Sequence, residues 1–212
     1  MLLPELERLV SVMARLRKEC PWDAQQTHRS LVQYLIEETA ETIEAIEAGD
    51  QDHLQEELGD LLLQVIFHAQ IASEQVRGFT VEEVARGIAD KLISRHPYVF
   101  ASAEVPVDQH YTWEQRKVAE KGRTSALQGI PEQLSALARG NKIISRARSQ
   151  RLEVALPDDP TTAAEVGAQI LALAARAQAA GIDPEQALRD AVRGLEARVQ
   201  AAESAHHDAT PA

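Results

Sequence analysis

Two acidic clusters, Glu37-Glu38-Thr39-Ala40-Glu41 and Glu56-Glu57-Leu58-Gly59-Asp60, hold the residue types and spacing best suited to chemistry in this chain. Residues three and four apart share one side of a helix, so Glu38 with Glu41, and Glu57 with Asp60, form neighbouring pairs. Each pair supplies half of an oxygen-donor metal site. Both clusters fall between Arg29 and Arg77, a 47-residue interval with 11 carboxylates and no Lys or Arg. Acids that served only to solvate a helix would be interleaved with bases, because like charges one turn apart cost roughly a few tenths of a kcal/mol. The absence of bases and the Leu-rich flanks argue against that plainer reading.

Four carboxylates from two helices, with no convergent Cys or His, suit a hard cation that keeps some of its waters: Mg²⁺, or Mn²⁺ as a substitute. Such a cation completes its shell with substrate phosphates, whose other oxygens need basic groups. Lys91 and Arg95 lie one turn apart on a later helix, and Arg116, Lys117, Lys121 and Arg123 follow. A basic last turn also complements a helix dipole, so Lys91 and Arg95 alone are equally consistent with a structural role. Trp22, Tyr34 and Trp113 are available as platforms for a base. Trp22, just after a proline, fits a core plug as well as a platform, and His68 on an apolar stripe reads as a core histidine.

The elements that must position these groups are helical throughout. Pro4 with Leu6, Leu9, Val10, Met13 and Leu16 predicts a first helix ending near Cys20-Pro21. A second should open at residues 27–30 and run to Ala48, its apolar positions Leu31, Leu35, Ile36, Ala40, Ile43 and Ile46 following the helical period, with Gly49-Asp50 as its stop. A third, residues 52–75, is apolar over much of its circumference after Asp60, which places it at the centre of a bundle. The short link makes the two antiparallel neighbours and can bring the acidic pairs face to face. Thr80 and Glu83 form a capping-box pattern for a fourth helix through Ser94. Residues 97–111 read as loop and 112–121 as a short polar helix. Strand patterns are almost absent, so the class is all-α.

Composition narrows the function classes. With 22 basic and 33 acidic residues the net charge is −11, which disfavours a nucleic-acid polymer or an anionic membrane as partner. The single cysteine, Cys20, excludes an internal disulfide and fits a reducing cytoplasm. No run reaches the roughly 20 apolar residues of a membrane span. Residues 165–198 weakly echo residues 57–95, with alanine where Asp60 stands and Gly194 where Lys91 stands. This divides the chain into a catalytic unit, 1–123, a degenerate helical repeat without the charged chemistry, 124–203, and a disordered tail, 204–212. Residues 154–162 serve as a linker.

Five motifs occur in order: Cys20-Pro21-Trp22-Asp23, Glu37-Glu38-x-x-Glu41, Glu57-x-x-Asp60, Asp90-Lys91-Leu92-x-x-Arg95-His96-Pro97-x-Val99-Phe100, and Trp113-Glu114-x-x-Lys117. Together they resemble the MazG nucleoside triphosphate pyrophosphohydrolases over residues 5–145. The resemblance implies a MazG-like helical bundle, a homodimer, and Mg²⁺-dependent hydrolysis of nucleoside triphosphates to monophosphate and pyrophosphate, in nucleotide-pool house-cleaning. It makes Glu38, Glu41, Glu57 and Asp60 metal ligands, with Glu37 beside the metal as a further catalytic residue that orients water. Lys91, Arg95, Trp113 and Lys117 would contact the nucleotide, and Trp22 joins them as a candidate. His53 departs from the pattern, standing where some relatives carry lysine. The rivals are a ferritin-like dimetal oxidase, which would need Glu-x-x-His motifs on the paired acidic helices and finds none there, and a non-enzymatic helical adaptor with a structural acidic face.

Overall fold

The computed structural model describes residues 3–209, with the side chains of all but His110, Glu114, Gln115 and residues 206–209. Every regular element among them is a helix, and the chain divides into two compact units, Met1–Ala101 and Ser102–Ala212.

In the first unit Pro4, at the first turn, starts α1 (Pro4–Glu19), where its missing N–H is no loss. Cys20 turns extended and Pro21 opens the short α2 (Pro21–Gln25). The following helix starts later than expected, because Thr27 and Ser30 exchange side-chain bonds with each other's backbone N–H groups (2.9 and 3.1 Å). That local turn competes with the helix, and α3 runs Val32–Ala48. It ends at Gly49, in the left-handed region at φ 71°, which glycine adopts without strain. Asp50 then caps α4 (Gln51–Ser73), accepting from the N–H groups of Asp52 and His53 (3.0 and 3.1 Å). With only Gly49 and Asp50 between them, α3 and α4 pack as an antiparallel hairpin.

The α4 helix is the centre of the unit, packed by α1, α3 and α5 (Val81–Arg95), as its apolar circumference predicts. Its Ile66, Phe67 and Ile71 form a core with Met13 and Leu31. Arg17 locks α1 to this core: its guanidinium lies over Phe67, donates to both carboxylate oxygens of Glu74, and bonds the carbonyls of Asp23 and Gln26. Gly78 lets the chain turn back against the Ala72 carbonyl, where a Cβ would collide. The capping box of Thr80 and Glu83 is formed as predicted. A short α6 (Pro97–Phe100) interrupts the segment expected to be loop, since Pro97 can open a helical turn.

The apolar positions of α3 are for the most part not its covered face. Leu31 is buried, but Leu35, Ile36, Ile43 and Ile46 are 40 to 65% exposed, and the buried α3 residues are Thr42 and Ala45. At about 100° per residue the four exposed side chains form one stripe, set apart from the face that meets α4.

The second unit contains α7 (Gln109–Lys121), α8 (Ala136–Ser149), α9 (Ala163–Ala179) and α10 (Pro184–Ala209). Asp108 caps α7 at the Tyr111 N–H (2.8 Å), which starts it before Thr112. Ile143, Ala147, Val192, Leu195 and Val199 form the core between α8 and α10. The buried Arg146 donates to the carbonyls of Ala126 and Gln128 at 2.8 Å each. Residues 154–162 have no regular structure. Of the tail expected to lack order, residues 204–209 continue α10 along the Ala-rich run Ala201-Ala202-Glu203-Ser204-Ala205, and 210–212 lie outside the described residues.

Candidate metal centre

The α3–α4 hairpin brings Glu38, Glu41 and Glu57 together, each offering a carboxylate oxygen within 4.8 Å of the others. Glu57, on α4, is only 6% exposed. One of its oxygens, Oε1, meets His53 Nε2 at 3.0 Å, one turn earlier on the same helix. The other, Oε2, is buried with no hydrogen-bond partner. A buried carboxylate oxygen left in that state costs roughly 1–3 kcal/mol or more.

Glu38 is half-buried on α3, and its carboxyl is pushed above the usual range. Burial is the first cause, followed by the charges of Asp60, Glu41, Glu57 and Glu37. Asp60 is thus the neighbouring charge that acts most on Glu38, although the tight group comprises the other three acids. Glu37 is exposed on α3, with the smallest of the four effects. Like charges that raise Glu38, with an orphan buried oxygen among them, make an environment that a cation would relieve. All donors are hard oxygens, so the residues fit a divalent ion of the Mg²⁺ type.

The remaining sequence-predicted residues are distributed as follows. Lys91 is exposed on α5, whereas Arg95, one turn on, is 3% exposed and engaged within the protein. Trp22 stands on α2 with its ring edge-on to Tyr34 and Phe67 (centroids 5.8 and 6.5 Å), yet remains 49% exposed. It is at once packed against the core and available. Trp113 and Lys117 belong to α7 in the second unit, where the Lys117 ammonium lies 5.5 Å from the centre of the Trp113 ring.

Sequence reasoning passed over three features. The His53–Glu57 bond was signalled by its i, i+4 spacing. The burial of Arg17 was signalled by its place one turn from Met13. The pairing of His68 with His28, Nδ1 to Nδ1 at 2.8 Å with the rings stacked, joins positions 40 apart and left no local sign.

The MazG nucleotide pyrophosphohydrolase domain matches residues 26–100, which include all of the acids above, Lys91 and Arg95. The nucleoside triphosphate pyrophosphohydrolase/pyrophosphatase MazG of Thermotoga maritima is 39% identical over 209 residues, covering 88% of this chain and 81% of that protein. The nucleoside triphosphate pyrophosphohydrolase of Mycobacterium tuberculosis is 40% identical over 204 residues, 94% of this chain and 59% of its own length. That of Escherichia coli K12 is 45% identical over 150 residues, 67% of this chain and 57% of its own length. The chain therefore spans less than two thirds of the latter two. Fold, centre and relatives together define a hydrolase acting on acid anhydrides. The chain belongs to the MazG family of nucleoside triphosphate pyrophosphohydrolases.

Proposed function

We propose that this protein hydrolyses nucleoside triphosphates to the monophosphate and pyrophosphate with Mg²⁺ held by Glu38, Glu41, Glu57 and Asp60, Mn²⁺ serving as a substitute. The observation that carries this reading is the buried, partnerless Glu57 oxygen beside Glu38 and Glu41. When bound, the ion would neutralise triphosphate charge and polarise a phosphoryl oxygen. Glu57 contributes a fixed, desolvated oxygen, steadied through its other oxygen by His53. Glu37, exposed on the same helix beside Glu38, is the proposed residue that orients an attacking water, with Glu38 the adjoining catalytic carboxylate. Lys91 and Arg95 on α5, Trp22 on α2, and Trp113 and Lys117 on α7 are the proposed substrate contacts.

The same reading assigns residues 1–123 to catalysis, 124–203 to a degenerate repeat, and the role to cytoplasmic nucleotide-pool house-cleaning by a homodimer. No helix among the described residues is long and apolar enough to cross a membrane. Purified protein incubated with a panel of triphosphates and Mg²⁺ should release pyrophosphate and monophosphate, and Asp60→Ala should reduce the rate about 100-fold or more. Absence of pyrophosphate would leave the acids as the face of a non-enzymatic adaptor, and an unchanged rate in Asp60→Ala would overturn the proposed metal centre.

A further inference from the structure

The second unit holds a polar cleft of about 500 Å³ between α7 and α8, lined by Trp113, Lys117, Leu134, Asn141, Lys142 and Ser145 among others. Its size is that of a small-molecule site. From Ala136 to Ser149 the α8 helix carries Arg139, Lys142, Arg146 and Arg148 and no acid, in a chain with net charge −11. Three of these cations are committed within the unit. Arg139 pairs with Glu196 at 2.6 Å, Arg146 holds the carbonyls of Ala126 and Gln128, and Arg148 donates to the Pro157 carbonyl at 2.6 Å. Lys142 lines the cleft and is exposed. Beside it Asn141, also exposed, offers an amide with both donor and acceptor.

We infer that Asn141 and Lys142 are further nucleotide-binding residues, forming the wall of this cleft opposite Trp113 and Lys117. This rests on the proposed function only in taking the nucleotide as the ligand of Trp113. An aromatic face, an amide that can read a base edge or a sugar hydroxyl, and two ammonium groups for phosphate oxygens are the complement of a nucleotide. Lys142 holds phosphate charge, and Asn141 discriminates between bases.

Calorimetric titration of the full chain with ATP, GTP, CTP and UTP in EDTA, followed by KM and kcat with Mg²⁺, tests the inference. Lys142→Gln should weaken binding or raise KM about tenfold, with Lys142→Arg restoring it, because a charge-assisted bond is lost and regained. Asn141→Ala should change the ratio of affinities among the four bases about fivefold or more. Both positions are exposed, so the variants should melt with the wild type. If both match the wild type in affinity and KM for every nucleotide, the inference is overturned, while pyrophosphate release by the same proteins leaves the proposed function standing. A wild type that neither binds nor hydrolyses any of the four overturns both.

Discussion

Glu57 and Glu38 are the residues on which the proposed metal centre can be tested most directly. A buried carboxylate with one oxygen satisfied by His53 and the other by nothing is unfavourable in the metal-free chain, and its charge adds to those that raise Glu38. Glu57→Gln should therefore leave the metal-free protein at least as stable as the wild type. Mg²⁺ should raise the melting temperature of the wild type, by mass action on the folded state worth about 2.7 kcal/mol at a hundredfold excess over its Kd. It should not raise that of Glu57→Gln. A thermal-shift titration with MgCl₂ decides this without any substrate, and an equal shift in both proteins would refute the assignment. His68 makes a separate prediction. Burial, then the neighbouring His28, hold its imidazole below the usual range, so the folded state favours the neutral ring. The unfolded chain then binds the extra proton first. The stabilising contribution is complete above about pH 6.5, the ordinary histidine value, and falls as pH drops from there toward the folded value. Melting curves from neutral to acid pH should show a steeper loss in the wild type than in His68→Gln, and parallel losses would remove the pair as the cause.

At the scale of elements, the centre depends on helix ends. Gly49 and Asp50 set the hairpin that apposes Glu38 and Glu57, and the Thr80–Glu83 box starts the helix that carries Lys91 and Arg95. Thr80→Ala should cost about 1 kcal/mol in a denaturant melt. A loss within error would mean that packing of α5 on α4, rather than the cap, fixes its start. These ends were legible in the sequence because each is a local device: proline at a first turn, glycine after a last one, a hydroxyl three residues before a glutamate. The acidic pairs were legible because helical spacing places them. The cover of each apolar face was not. The period that marks Leu35, Ile36, Ile43 and Ile46 as one side of a helix says that the side is apolar, and says nothing of what lies against it. The local bonds of Thr27 with Ser30 outweighed a pattern that read as helix, and the long-range partners of Arg17 and His68 come from turns far apart in sequence.

The first unit leaves apolar side chains exposed along two of its helices. Beyond the α3 stripe, Val84, Ile88 and Leu92 recur every fourth residue along α5, each 38 to 46% exposed. Apolar side chains aligned along two helices of one unit exceed the scattered exposure of an ordinary surface and mark an interaction face. The proposed occupant is a second copy, which would cover the stripe of one hairpin with that of its twin in an isologous contact. Light scattering on the purified chain should give twice the monomer mass. Ile36→Glu with Ile43→Glu, both at exposed positions that leave the core of the unit untouched, should convert it to a folded monomer with an unaltered helical spectrum. A wild type that is monomeric across the accessible concentration range, or a double variant that still dimerises, would show that this face is not the contact.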